Sequence, residues 1–212
     1  MARLADLDAV TLDANGTLIR LSDPVPSLDQ VLRERGVERP PDAIRRAFQA
    51  EGAVYATRAV DAWEPAAFAA LQRECTGVFL SELGTADVDP AEFASSYVGA
   101  MRFELLPGVV ESVGRLRRLG LELAVVANFD LTLHDRLDEL GLSSFFTAVI
   151  TPADAGAGKP DPRIFQLAVE RLGVRADRTL HIGDGAGDEA GARRAGLQFA
   201  WAPVPAAIVA LL

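Results

Sequence analysis

Three short apolar runs constrain this chain most, because each ends on a polar residue where a buried strand would stop. Val10-Thr11-Leu12 ends at Asp13, Leu123-Ala124-Val125-Val126-Ala127 ends at Asn128, and Leu180-His181-Ile182-Gly183 ends at Asp184. Runs of this length, bounded by turn residues and separated by segments of helical period, read as buried strands of a parallel sheet with helices on both faces. Gly16 lies three residues beyond Asp13, where the backbone can turn without a Cβ penalty. The carboxyl ends of strands in such a sheet open onto a ligand crevice. Asp13 therefore either faces a ligand or caps the turn that follows it.

Taken in order, the pattern breaks at Ser22-Asp23-Pro24 and Pro26. From there to about Arg102 the chain reads as about four helices and no strand. Leu28, Val31 and Leu32 share one helical face, as do Ile44, Ala47 and Phe48, then Phe68, Leu71, Val78 and Phe79. Asp89-Pro90-Ala91-Glu92 is a helix start, with Asp89 as N-cap and Glu92 placed to complete a capping box; Phe93, Tyr97 and Val98 form that helix's apolar face. So long a run between two strands exceeds a simple crossover and reads as a small helical bundle. Beyond Pro107-Gly108 a helix runs to Gly120, and strand and helix then alternate. Strands are expected near 121–127, 146–150, 179–182 and 197–201, and helices near 131–140, 162–172 and 188–195. Asp130 and Asp161 are expected as helix caps. The apolar stretch 206–212 is too short to span a bilayer and is expected to pack on the core or at a subunit interface.

Lys159 is the only lysine among 21 basic residues. A chain that otherwise uses arginine throughout keeps a compact ammonium here, which points to a site for a point charge rather than a planar fork. Codon bias accounts for the arginines but not for the exception. The remaining bulk properties are quickly read. At 212 residues and 50% hydrophobic composition, the chain buries a sizeable core in one domain with an insertion or two small ones. A net charge of −9 argues against a nucleic-acid partner, which needs a basic face. Residues 1–8 hold no apolar run and no stretch approaches a membrane span, so neither a signal peptide nor a membrane partner is expected and the setting is read as cytoplasmic. Cys75 is the lone cysteine; it forms no internal disulfide and reads as a small core residue.

Asp13, then Asn128, then Lys159 in Gly158-Lys159-Pro160-Asp161-Pro162, then Asp184 with Asp188 follow one another in an order and spacing that resembles the four motifs of the haloacid dehalogenase-like (HAD) hydrolase superfamily. Phe129-Asp130 and Lys159-Pro160-Asp161-Pro162-Arg163-Ile164-Phe165 look closest to a phosphatase-like subgroup with a helical cap. The resemblance implies a Rossmann-like α/β core, residues 1–19 and 103–212, with an inserted α-helical bundle cap, residues 20–102.

Asp13 and Asp184 are expected at neighbouring strand ends, where two carboxylates repel unless a cation lies between them, and oxygen ligands of this kind suit Mg²⁺. Asp188 is placed to ligate directly or through water. By resemblance, the metal is held by Asp13, the backbone carbonyl of Asn15, and Asp184. Asp13 would then attack a small phosphorylated substrate and form an aspartyl-phosphate, Lys159 would neutralise phosphate charge, and Asn128 would hydrogen-bond the phosphoryl oxygens.

Two positions depart from that pattern. Asn15 stands where phosphatases of the superfamily carry the acid that protonates the leaving group, and an amide cannot do this. Ala127 stands where a Ser or Thr hydroxyl is usual. The first alternative is a 2-haloacid dehalogenase, which shares the aspartate nucleophile but needs no metal; the pairing of Asp184 with Asp188 speaks against it. The second is a non-catalytic binding protein that keeps the metal and phosphate site. His181, inside an apolar strand, reads as a hydrogen-bonded core histidine and His134 as solvent-facing. Arg115, Arg117, Arg118, Arg193 and Arg194 read as solvated helix charges. Arg20, Arg45, Arg46 and Arg58 are candidates to meet an anionic substrate. The oligomeric state is left open between monomer and homodimer.

Overall fold

The structure, a computed structural model, describes residues 4–59, 62–85 and 87–209. In chain order, β1 (Ala9–Leu12) and β2 (Ile19–Leu21) precede four helices: α1 (Val25–Arg33), α2 (Pro41–Arg58), α3 (Pro65–Glu82) and α4 (Pro90–Ala100). β3 (Phe103–Leu105), α5 (Val109–Arg118), β4 (Glu122–Val126), α6 (Leu133–Glu139) and β5 (Ala148–Ile150) follow. The remainder is α7 (Pro152–Ala155), α8 (Pro162–Leu172), β6 (Thr179–Gly183), α9 (Ala186–Arg194), β7 (Gln198–Trp201) and α10 (Val204–Val209). Two compact units result: one takes the chain up to Arg20 and from Glu104 onward, the other takes Leu21–Phe103.

The first unit is a five-stranded sheet in the order β5-β4-β1-β6-β7, with each described pairing parallel. Every residue of β1 and β6 is buried, so both alternating sets of side chains are covered and helices must lie on both faces. α8 and α9 cover one side through Ile164, Phe165, Ala168 and Ala192, which cluster with Val126, Ile150 and Leu197. The chain runs outward from β1 to β4 and β5, then crosses back to β6 and β7 on the other side. Strand order therefore reverses around β1, and the crevice that such a reversal opens lies at the carboxyl ends of β1, β4 and β6.

The second unit is built on α1 to α4, with a core of Leu28, Leu32, Ile44, Phe79, Phe93 and Tyr97. The three aromatic rings form one group, Phe79 lying 4.8 Å from Tyr97 and 6.5 Å from Phe93 between centroids. Burying each such ring contributes about 1.5–3 kcal/mol. Of the apolar stripes read from the sequence, Leu28, Leu32, Ile44, Ala47, Phe68, Leu71, Phe79, Phe93 and Tyr97 are buried, while Val31, Phe48, Val78 and Val98 are half-buried. Asp89 caps α4 by accepting from the Ala91 amide at 2.8 Å, but among the described residues no reciprocal bond from Glu92 completes the capping box.

Several local expectations need correction. β2 and β3, which flank the helical stretch at its two ends, pair as a two-stranded sheet that was not expected; three-residue strands whose partners are more than eighty positions apart carry no local period. α9 begins at Ala186, so Asp188 lies inside its first turn. Asp130 accepts from the Thr132 amide and hydroxyl at 2.9 and 2.6 Å, building the turn that leads into α6, whose N-cap is Thr132. Asp161 does cap α8, through the Arg163 amide at 2.9 Å. Of the apolar stretch 206–212, Ala207 and Ile208 are buried on α10, which packs against α5 and β7; positions 210–212 lie outside the described residues. Among the described residues no helix is long and apolar enough to cross a membrane.

Candidate active site

Asp13 is the first residue past β1. Its amide donates to the Ile182 carbonyl of β6 at 2.9 Å, which carries the pairing one step beyond the strand and fixes where the carboxylate emerges. The chain then turns tightly, with the amides of Leu18 and Ile19 both donating to the Ala14 carbonyl. Gly16 makes that turn at φ +87°, and a Cβ there would fall 1.9 Å from Asp184 Oδ2. Only glycine fits so close an approach in the left-handed region, and the loop is thereby brought against Asp184. Asp184 itself is the first residue past β6 and is exposed.

Asp188 is placed by α9. It occupies the third helical position and accepts from the Gly185 amide through Oδ2 at 3.1 Å, satisfying one of the orphan donors at the helix start. Gly183 makes room for it, since a Cβ there would lie 2.4 Å from Asp188 Cγ. The Lys159 ammonium lies between Asp188 and Asp13, with Nζ donating to Oδ1 of each at 2.5 Å. All three side chains are less than a tenth exposed. Lys159 belongs to a loop, yet its charged end is buried, a position open to a lysine only when it is paired.

Asn128, past β4, has partners in the Lys159 backbone. Its Oδ1 accepts from the Lys159 amide at 2.6 Å and its Nδ2 donates to the Lys159 carbonyl at 2.8 Å. Asn128 thereby clamps the lysine's backbone. One Nδ2 proton is left over by the valence of the group, and the side chain still lines the cleft. Asp13, Asn15, Ala127, Asn128, Lys159, Asp184 and Asp188 all line a single cleft of about 230 Å³. Of the arginines considered as substrate contacts, Arg20 pairs with Glu104, Arg45 with Asp23 and Asp42, and Arg58 with Glu74, all at exposed positions.

The electrostatics follow from burial and pairing. Burial pushes the Asp13 carboxyl above its ordinary range; Lys159 opposes the rise and the neighbouring Asp188 adds to it. Burial would raise Asp188 too, but the hydrogen bond from His181 and the charge of Lys159 outweigh it and hold it down at about 2. Burial also pushes the imidazole of His181 down, so the ring is neutral near pH 7. His181 was legible as a bonded core histidine; its link to Asp188 at 2.9 Å was not. The available signal was a polar residue three positions before Asp184 in an apolar strand.

Carboxylate oxygens of Asp13, Asp184 and Asp188 lie within 4.8 Å of one another. With one ammonium among them, the ionised set carries an excess of two negative charges, and an all-oxygen donor set is what a hard divalent cation prefers. The residues present therefore fit Mg²⁺. Asp188 has both oxygens engaged, one by Lys159 and His181 and the other by Gly185. Asp13 and Asp184 are thus the better placed pair for direct ligation.

Comparison with known proteins places the chain in a family. The family described as haloacid dehalogenase-like hydrolase matches residues 7–196. The haloacid dehalogenase-like hydrolase domain-containing protein 3 of Mus musculus is 43% identical over 82 residues, 39% of this chain and 33% of that protein, so the match spans about a third of that relative's length. The phosphoglycolate phosphatase of Caulobacter vibrioides is 33% identical over 209 residues, 93% of this chain and 80% of that protein. The crystal structure of the putative HAD-hydrolase YfnB from Bacillus subtilis bound to magnesium superposes with a TM-score of 0.71 at 21% identity, covering 92% of this chain and 88% of that one. At that identity the likeness speaks for the fold alone. With the sheet order, the ordered acids around one buried lysine, and a family match over most of its length, this chain belongs to the haloacid dehalogenase-like hydrolases.

Proposed function

We propose that this hydrolase is a Mg²⁺-dependent phosphatase for a small phosphorylated metabolite, working through an aspartyl-phosphate on Asp13. The observation that carries the reading is the Lys159 ammonium held 2.5 Å from Asp13 Oδ1 at the floor of the cleft, where a buried carboxylate is paired with a cation yet faces an open volume. Asp13, Asp184 and the backbone carbonyl of Asn15 would hold the metal, with Asp188 close behind; bound there, Mg²⁺ would supply charge neutralisation for an incoming phosphate and for Asp13 itself.

The chain's own residues account for the rest. Asp13 attacks phosphorus, a carboxylate-oxygen-to-phosphorus bond forms, and the bond to the leaving-group oxygen breaks. Lys159 lies beside the attacking carboxylate and stabilises the added negative charge. Water then cleaves the aspartyl-phosphate, releasing inorganic phosphate and restoring Asp13. Asn15 lines the cleft, and its amide N–H, though able to donate a hydrogen bond, is too weakly acidic to transfer a proton to the departing oxygen. Leaving groups that depart as stable anions are therefore favoured. The name of the Caulobacter relative points toward small phosphorylated acids as the first substrates to try. The helical segment, residues 20–102, is proposed as a cap inserted after the first motif. Asn15 and Ala127, both in the cleft, favour one rival: a protein that binds metal and phosphate without turnover.

The deciding measurement is kcat/KM of wild type and Asn15→Asp on one alkyl and one aryl phosphate with Mg²⁺ present. Asn and Asp are nearly the same size, and general acid catalysis is worth about 10²- to 10⁴-fold. Asn15→Asp should gain in that range on the alkyl phosphate and little on the aryl one. No gain on either removes Asn15 as the missing acid, and wild type without turnover of either substrate moves the assignment to the binding protein.

A further inference from the structure

His181 is fully buried in β6 with both ring nitrogens engaged, Nδ1 with Thr11 Oγ1 and Nε2 with Asp188 Oδ1, each at 2.9 Å. Thr11 and His181 are register partners across β1 and β6, so their side chains share one face of the sheet. The direction of each bond can be worked out from valence. An ionised carboxylate only accepts, so Nε2 carries the ring proton. The neutral ring then has a lone pair on Nδ1, and the Thr11 hydroxyl must be its donor. A single polar chain results: Thr11 donates to His181, His181 donates to Asp188, and Lys159 donates to both Asp188 and Asp13.

The series of hydroxyl, imidazole and carboxylate has the residue types of a nucleophilic triad. Thr11, however, is fully buried in the centre of the sheet, where no substrate reaches it, so its part is orientation. Two aromatic rings neighbour the imidazole, Phe165 near-perpendicular at 4.9 Å and Phe199 tilted at 6.3 Å between centroids. Asp188 then has donors from three directions, Gly185, His181 and Lys159, which leaves its carboxylate a single rotational setting.

We propose that Thr11 and His181 are positioning residues for the phosphatase reaction, locking the Asp188 carboxylate against Lys159 and so locking Lys159 against Asp13. The role rests on the reading of Asp13 as nucleophile, but its structural half is measurable without turnover. The chain has two histidines and one lysine, so both reporters are nearly free of overlap. Long-range ¹H–¹⁵N spectra of the full chain at neutral pH should show His181 as the Nε2–H tautomer alone. A ring protonated at Nδ1 would overturn the proposal.

The variants extend the test to catalysis. His181→Phe keeps a ring beside Phe165 and Phe199 and removes the donor; His181→Gln keeps an N–H donor of similar reach. His181→Phe should lower kcat about 10- to 100-fold, the usual cost of losing an outer partner of a site carboxylate, with a much smaller change in KM. The ¹³Cε signal of Lys159 should move, and His181→Gln should recover most of the rate. Thr11→Val, a nearly isosteric change, covers the case in which His181→Phe fails to fold and should lower kcat a few-fold with a smaller shift of the same signal. Wild-type kcat together with an unmoved Lys159 signal in His181→Phe, or in Thr11→Val should the former not fold, sinks the positioning role. If the wild type hydrolyses no phosphate ester, the phosphatase reading fails separately, and the tautomer and Lys159 signals still decide whether this chain orients the lysine.

Discussion

Asp188 in the sheet unit and Glu51 in the helical unit are equally buried, each 5% exposed, yet their protons respond in opposite ways. Asp188 is held down at about 2 because its partners are a lysine ammonium and an imidazole N–H. Glu51, on α2, accepts from the Tyr97 hydroxyl of α4 at 3.0 Å and from the Cys75 thiol of α3. Burial pushes Glu51 up, and those two neutral donors only partly offset it. Burying a carboxylate is costly in both places; at Asp188 an ammonium and an imidazole N–H together overcome that cost, while at Glu51 a hydroxyl and a thiol do not. The charged and imidazole partners leave Asp188 ionised beside an open cleft. Neutral partners leave an acid that ties three helices together.

The largest test of that contrast is to remove the cation. Lys159→Met strands Asp13 and Asp188 without their shared partner and should abolish most turnover, by about 10²-fold or more, while costing about 3–5 kcal/mol of stability as an uncompensated buried charge. Lys159→Arg should also cripple turnover, since a planar fork does not replace a point charge between two carboxylates. Steady-state kinetics and urea unfolding read both effects, and wild-type activity in Lys159→Arg would break the assignment.

A smaller effect appears in the pH dependence of stability, where the two acids carry opposite signs. The folded pKa of Asp188 lies below its ordinary 3.8, so its contribution is present above about pH 4 and is lost as pH falls toward about 2. Glu51 lies above its ordinary 4.5, so its contribution is present below about pH 4.5 and is lost as pH rises through the folded value. The deficit of Asp188→Asn relative to wild type should therefore shrink on acidification. Glu51→Gln, which keeps a hydrogen-bonding side chain of the same shape, should gain on wild type as pH rises. Urea midpoints between about pH 3 and 8 separate the two, and parallel profiles would mean that both acids meet the same kind of partner.

The smallest expected effect sharpens the neutral side of the comparison. Burial, with Glu51 beside it, pushes the Cys75 thiol well above its usual value, and a protonated, enclosed thiol is a poor nucleophile. Native protein at about pH 8 should be alkylated at Cys75 more than about tenfold slower than urea-unfolded protein. Equal rates would place Cys75 in a solvent-open setting at odds with the Glu51 cluster.

The parts of this protein legible in the sequence share a property: each is set by neighbours a few positions away. Strand runs at 9–12, 122–126 and 179–183, the helical stripes with Ile44 or Phe93, and the Asp161 cap follow from local period and local bonding. Asp13, Asn128, Lys159 and Asp184 were legible as site candidates because each ends a strand or interrupts a loop with an unexpected charge. The bonding of Asn128 was not legible, since its partner is 31 positions away and either end of an amide suits many acceptors and donors. The strand pair β2–β3 escaped for the same reason.

The sequence by itself determined the alternation of strand and helix, and with it a parallel sheet whose carboxyl edge collects the polar residues. Periodicity and turn chemistry act over a few residues, so the chain carries that information locally. Only the tertiary structure decided which polar groups meet: that Asp188 turns inward from α9 to Lys159, that Thr11 and His181 lie side by side behind it, and that Glu51, unremarkable on α2, is enclosed by Tyr97 and Cys75. Hydrogen bonds and ion pairs act over about 3 Å, and no pattern along the chain states which distant residues folding will bring within that range.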